Sequence, residues 1–170
     1  MENLIITPTT VIDFKPANSE DLPLVMAILT DASAWLQAKA IDQWPSPLPE
    51  HWHQRMVDKI AHGEIYTVGI VKNRFGIVGL NWADPYWPDD GRAGYVHRMA
   101  IRSSMHGQNW GSLILFWAQQ QVKKRGRPFL RLDCAAGNGR LRGYYEAQKF
   151  ICQGTVTDHD YVAALYEKPI

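Results

Sequence analysis

The chain has 170 residues, enough for one domain with a properly buried core. Its 46% hydrophobic and 21% charged residues are ordinary for a globular protein, and a formal net charge of +1 argues against binding nucleic acid mainly by phosphate neutralisation. No run approaches the roughly 20 apolar residues of a membrane span, and residues 1–10 lack the basic region and cleavage site of a secretory signal, so a cytoplasmic protein is expected.

In chain order, residues 11–16 read as a short strand. Ser19, Glu20 and Asp21 supply N-cap and first-turn signals, with Pro23 tolerated in the first turn. Leu24, Ala27, Ile28, Ala32, Trp35 and Leu36 then recur at helical spacing to about residue 40. Pro45, Pro47 and Pro49 remove donors and restrict their neighbours, so no helix crosses them. A second helix over about 50–62 stops at Gly63. The period then changes: residues 65–71 and 75–82 are β-branched and aromatic runs separated by Lys72, Asn73 and Arg74, a hairpin signal.

A polar, proline-rich loop (84–91) leads to a third run at 95–101. A glycine-containing loop follows, then a helix from 109 to about 125 with Trp110, Leu113, Ile114 and Trp117 on its buried face. The basic cluster at 123–127 falls at the end of this helix, where cations complement the dipole. Residues 129–134 form another strand. Asn138 caps a helix with Leu141, Tyr144, Tyr145 and Gln148 on one stripe, and strands at 155–157 and 161–166 close the chain. The order β-α-α-β-β-β-α-β-α-β-β predicts one α/β domain over residues 1–170, a mixed sheet flanked by helices. Cys134 and Cys152 lack metal-ligand spacing and are expected reduced and buried.

The strand at 95–101 runs through His106, Gly107, Gln108, Asn109, Trp110, Gly111 and Ser112 directly into its helix. A helix start presents unpaired N–H groups and the positive end of a dipole, which suits a phosphate. Gly107 and Gly111 remove side chains where backbone would approach a ligand, and Asn109 tolerates a left-handed conformation. A tight strand-to-helix turn explains the same glycines. The loop is not the G-x-G-x-x-G dinucleotide fingerprint.

Joined to the strand ending Arg131-Leu132-Asp133-Cys134, and to Asn138, Leu141, Tyr144, Tyr145, Glu146 and Phe150, this loop resembles the GNAT superfamily of N-acetyltransferases. The close match spans residues 95–150, and the first half agrees in element order only. His106 stands where the family prefers Arg or Gln, Asn109 replaces its middle glycine, and Lys149 replaces a glycine before Phe150. The resemblance implies a mostly antiparallel central sheet and an acetyl-CoA-dependent acyltransferase without a metal. It further implies acetylation of a primary amine by direct attack in a ternary complex.

The same resemblance implies the site. Backbone groups of Met99, Ala100 and Ile101 would hold the pantetheine arm, and an amide near Met99 would polarise the acetyl oxygen. The loop from His106 to Ser112 would take the pyrophosphate, and Asn138 and Tyr145 complete the cofactor set. Tyr145 would be the acid, since a phenol ionising near about pH 10 can donate to a departing thiolate. Its neighbour Tyr144 is the fallback, and a core role is the alternative for Tyr145.

His97 takes the place of a family glutamate that accepts the amine proton, and histidine changes charge near neutrality. Asp133 is a second base, and packing is the alternative for His97. His51 and His53 could reach the acceptor from the other wall. Cys134 carries no mark of activation.

Trp35, Trp44, Trp52, Trp82, Tyr86 and Trp87, with Asp84, Asp89 and Asp90, would form an aromatic and acidic acceptor wall suited to a small cationic amine. Core packing accounts for many of the same tryptophans. The expected partner is a small-molecule or peptide amine, with no nucleic acid and no membrane, and a homodimer is admitted. Two other readings stay open: a non-catalytic acyl-CoA sensor of the same fold, and a partner-binding domain with a coincidental glycine loop.

Overall fold

The computed structural model describes residues 2–7, 10–70 and 73–170. Among them the strands are β1 (Glu2–Thr7), β2 (Thr10–Pro16), β3 (Ile65–Ile70), β4 (Asn73–Asn81), β5 (Ala93–Ile101), β6 (Phe129–Ala135), β7 (Ile151–Asp158) and β8 (Tyr161–Pro169). They form one sheet in the order β1-β2-β3-β4-β5-β6-β8-β7. Its neighbours are antiparallel except β5 and β6, which run parallel. The helices are α1 (Leu22–Ala38), after a 3-10 turn at Ser19–Asp21, α2 (His51–Ala61), α3 (Trp110–Lys124) and α4 (Gly139–Ala147). The cap before the first helix falls on Asn18, one residue ahead of the expected signals, and forms a capping box: Asn18 Oδ1 accepts from the Glu20 amide at 2.9 Å, and the Asn18 amide donates to Asp21 Oδ2 at 3.0 Å.

Two corrections follow. The order begins with an additional strand, because Glu2–Thr7 pairs antiparallel with β2. Residues 1–10 carry only the short apolar run Leu4-Ile5-Ile6, too brief for a period to register. At the other end, β7 runs from Ile151 to Asp158, well beyond the expected 155–157. It is an edge strand exposed along nearly all its length, so no buried face marks it in the sequence. Val71 and Lys72 of the expected hairpin lie outside the described residues; β3 and β4 pair antiparallel up to Ile70 opposite Asn73.

Each face of the sheet buries its own cluster. Val78, Leu80, Val96 and Leu132 pack under α3 and α4 with Trp110, Ile114, Trp117 and Tyr145. Ile65, Ile77 and Ala100 pack under α1 and α2 with Val25, Ile28, Met56 and Ile60. Each such side chain taken wholly from water contributes about 1.5–3 kcal/mol.

This division exposes an irregularity in β5. Val96 and Ala100 are four residues apart and would share a face in a regular strand, yet they belong to opposite clusters. The register explains it. Gly79 faces His97 and Ile77 faces Ala100, so Val78 alone opposes both Arg98 and Met99. That is a β-bulge, with Arg98 at a left-handed φ of 46°.

A second irregularity lies on the other edge of β5. Its pairing with β6 runs from Ala93–Phe129 to Val96–Leu132 and stops there. Strand β6 stays paired with β8 as far as Ala135 and Ala163, while residues 97–101 of β5 diverge from it.

The basic cluster does more than complement a dipole. Lys123 and Lys124 occupy the last turn of α3, but Arg125 lies 4.0 Å over the Trp82 ring. Arg127 donates to the carbonyls of Trp82 and Ala93, which ties the end of α3 to the start of β5. Both cysteines are free; Cys134 is buried, but Cys152 lies exposed on edge strand β7, against expectation.

Helix α4 ends in a Schellman turn: the Phe150 amide donates to the Tyr145 carbonyl at 3.0 Å and the Lys149 amide to Glu146 at 2.9 Å. Lys149 adopts the left-handed φ of 69° that this turn requires. An L-residue pays about 1 kcal/mol for that conformation. Replacing it by glycine, Lys149→Gly, should therefore raise the unfolding free energy by up to about 1 kcal/mol and lift the melting temperature by a few degrees, read by thermal denaturation.

Candidate active site

A cleft of about 780 Å³ opens where β5 and β6 part. Residues 96–101 of β5 form one side, with Asp133 of β6 and Leu141 and Tyr145 of α4. Trp35 of α1 and Trp52, Arg55 and Lys59 of α2 face them, and Asp84 and Tyr86 enter from the loop between β4 and β5. The bulge turns both His97 and Arg98 into this space, although consecutive strand residues normally point to opposite faces.

His97 sits between two carboxylates. Its Nε2 is 2.9 Å from Asp84 Oδ2, and its Nδ1 is 3.9 Å from Asp133 Oδ1. The Asp84 carboxylate is itself held, because its Oδ1 accepts the Tyr86 amide at 2.8 Å. With Nε2 donating to Asp84, the lone pair of the neutral ring lies on Nδ1, toward Asp133. Burial raises the Asp133 carboxyl above the usual range, against the opposing influence of His97; Asp84 raises it further. The Tyr161 hydroxyl donates to Asp133 at 3.4 Å.

Tyr145 lines the cleft with only 6% of its surface exposed, wedged among Phe150, Tyr166 and Tyr144. Burial, and secondarily Cys134, drives its phenol far above the ordinary tyrosine range, so it remains protonated at physiological pH. Its hydroxyl has no hydrogen-bond partner among the described residues. Tyr144 turns away instead: its hydroxyl lies 3.4 Å from that of Ser112. Burial pushes the Cys134 thiol up to about 12, so it is no nucleophile.

The loop into α3 has the expected backbone. Asn109 adopts a left-handed φ of 61° and Gly107 a φ of 79°. No side chain caps α3; the Asn109 carboxamide oxygen accepts from the Ser112 hydroxyl at 2.7 Å instead. The first-turn N–H groups therefore lack a side-chain acceptor, the condition that an anion at a helix start meets. Gln108 lies exposed beside them.

Other residues of that set are differently engaged. His106 Nε2 is 3.0 Å from the Ile101 carbonyl. Trp110 packs on Phe75 in the core, its indole nitrogen buried without a partner. A Cβ on Gly111 would stand 2.6 Å from the Tyr144 hydroxyl, so close packing against Tyr144 accounts for that glycine within the chain itself. Asn138 caps α4 by accepting from the Leu141 amide at 3.1 Å and donates to Gln43 at 3.2 Å, outside the main cleft.

The aromatic wall divides. Trp35, Trp44, Trp52 and Tyr86 line the cleft, whereas Trp82 lies under Arg125 and Trp87 under Arg131. Asp90 likewise pairs with Arg131 at 3.1 Å rather than facing an acceptor. His51 and His53 are exposed and outside the cleft, because α2 presents Trp52, Arg55 and Lys59 at helical spacing instead. Arg98, Arg55 and Tyr161 were not singled out in the sequence. Their only signal was the adjacency of His97 and Arg98, which a regular strand would have put on opposite faces.

The model of the acetyltransferase (GNAT) family matches residues 29–150. The chain belongs to that family. It is thus an acetyl-CoA-dependent acyltransferase. It is similar to the uncharacterized N-acetyltransferase YesJ of Bacillus subtilis (strain 168), 25% identical over 146 residues covering 82% of this chain and 81% of that protein. A GNAT-family acetyltransferase structure from Listeria monocytogenes 4b F2365 shares the fold with a TM-score of 0.79 at 19% identity, covering 99% of this chain and 100% of that one. The PaiA N-acetyltransferase of Thermoplasma acidophilum, solved with coenzyme A, matches with a TM-score of 0.70 at 15% identity over 94% of this chain and 99% of that one. Among the described residues, no helix is long and apolar enough to cross a membrane.

Asp84, His97 and Asp133 are also the one group among the described residues whose ligand atoms, all within 4.8 Å of one another, could hold a metal ion. The 2.9 Å contact between His97 and Asp84 satisfies both groups without one. Dialysis against EDTA should leave acetyl transfer and melting temperature unchanged. A loss restored by zinc alone would instead make the three residues ligands.

Proposed function

We propose that residues 1–170 form a single N-acetyltransferase domain that transfers acetyl from acetyl-CoA to a primary amine by direct attack in a ternary complex. One observation carries this reading: His97 and Tyr145 line the same cleft, on either side of the free edge of β5. A base for the amine and an acid for the thiol can thus flank one thioester. Proximity in such a complex supplies much of the acceleration.

Backbone groups of Met99, Ala100 and Ile101, beyond the last β5–β6 pair, receive the pantetheine arm, with His106 meeting the Ile101 carbonyl. An amide at the bulge near Met99 polarises the acetyl oxygen. The N–H groups at the start of α3, together with Gly107, Gln108 and Asn109, take the pyrophosphate. The amine nitrogen attacks the thioester carbon and the carbon–sulfur bond breaks. His97 Nδ1 accepts the amine proton, directly or through water toward Asp133, while Asp84 holds the ring. Tyr145 gives its proton to the departing sulfur. Burial makes tyrosinate costly, but it penalises a thiolate in the same surroundings too, so much of that cost cancels when the charge passes from sulfur to oxygen. No step calls for a metal.

Tyr145→Phe keeps the ring and removes the proton. Turnover should fall at least about tenfold, since general acids typically contribute ~100- to 10,000-fold, with acetyl-CoA affinity nearly unchanged. Tyr144→Phe should alter the KM for acetyl-CoA and leave kcat close to wild type, because its hydroxyl touches the loop rather than the cleft. Normal turnover in the first variant would mean that the thiolate leaves unassisted.

The base has its own signature. His97→Ala should lose more activity at about pH 7 than at about pH 9.5, where more of the amine is already neutral. Equal losses at both would return His97 to packing. An acyl-CoA sensor of the same fold would bind acetyl-CoA yet acetylate no member of an amine panel.

A further inference from the structure

Two guanidinium groups line the cleft, and among the described residues neither forms an ion pair or hydrogen bond with a carboxylate, although Asp133 and Glu64 act on Arg98 from further off. Arg98, in the bulge, has a fully buried Nε without an acceptor, and its Cζ lies 5.7 Å from the Trp52 ring centroid. Arg55, one turn further along α2 than Trp52, lines the same cleft and is close enough to act on Arg98 electrostatically. The third cation of this wall is already neutralised. Lys59 donates to Glu64 at 2.7 Å, and the other donor to that same oxygen is Asn81 at 2.8 Å.

Like charges held together beside a partly buried space favour an anion between them. Guanidinium groups present a planar fork that matches a carboxylate, and a buried donor without an acceptor gains most from one. In the same cleft Asp84, Asp133 and Asp158, with His97, offer acceptors to an amine or ammonium group. The bulge brings the two sets together: His97 and Arg98 are consecutive residues that both reach the cleft.

We propose that the acceptor is an amino acid or a close relative, with its carboxylate held by Arg55 and Arg98 and its amine presented to His97. The proposal rests on the acetyl-transfer reading above and names its substrate class. Trp35, Trp44 and Tyr86 line the remaining space and suit an apolar side chain. The small cationic amine that the acidic and aromatic residues alone suggested would, if it carried a second positive charge, set that charge against two guanidiniums.

Calorimetry on the coenzyme A complex tests this without relying on turnover. The probes are L-methionine and L-phenylalanine, their carboxamides, spermidine and phosphorylethanolamine. Each amino acid should bind about tenfold or more tightly than its amide, the scale of a charge-assisted hydrogen bond. Arg55→Gln and Arg98→Met should each bring that ratio close to one. Arg55 is exposed on α2, so its variant carries the test even if Arg98→Met does not fold.

Equal binding of acid and amide, or no binding of either amino acid, overturns the proposal. Tighter binding of spermidine or of phosphorylethanolamine overturns it in favour of a polyamine or a phosphate ester. If the amino acids bind selectively but are not acetylated when acetyl-CoA replaces coenzyme A, the transfer reading fails while the carboxylate site stands.

Discussion

The site depends on the early end of pairing between β5 and β6. Backbone N–H and C=O groups are obligatory hydrogen-bonding groups, and a strand edge abandoned by its neighbour must find other partners. Here the abandonment is one-sided. β6 keeps its ladder with β8 to Ala135, so residues 97–101 of β5 alone are left facing a cleft. The bulge at Arg98 belongs to the same device, since it redirects the strand just past Val96, its last residue paired with β6. Gly79 makes room for it: a Cβ there would lie 3.0 Å from the His97 carbonyl oxygen.

The cleft's upper wall is held from behind. Arg131 donates to Glu167 at 2.7 Å and to Asp90, and its guanidinium lies 4.5 Å from the Trp87 ring centroid. This clasp fixes the loop whose start carries Asp84 and Tyr86 into the cleft. Tyr86 is tied in turn to Asp158 at 2.9 Å, which with burial pushes its phenol up to about 12. Arg127 performs a similar service at the base of β5. Several arginines that look like surface charge in the sequence are thus structural, and their aromatic partners are withdrawn from the acceptor wall.

Charge is distributed within the cleft by element. β4–β5 loop and β6 contribute carboxylates around His97, α2 contributes cations, and α4 contributes a neutral phenol. Such separation gives the cleft one set of residues that favours an amine and another that favours an anion.

The sequence alone determined a good deal. Helical and strand periods placed α1 to α4 and most strands, because buried stripes recur at 3.6 or 2 residues wherever a face is covered. Asn138 as a cap and Asn109 as a left-handed residue were legible because each is a local backbone requirement. Tyr145 was preferred to Tyr144 through the family resemblance alone, and the two turn apart only in the structure. Edge strand β1 was missed because its apolar run is too short to register a period, and β7 was shortened because it is exposed along nearly all its length. Only the tertiary structure decided which residues share the cleft. The bulge sets His97 beside Arg98 on one face, Asp84 reaches His97 across thirteen residues, and Arg131 removes Trp87 and Asp90 from the site. An inserted strand residue and a pairing that stops early leave no periodic trace, because both are properties of two strands together rather than of either one.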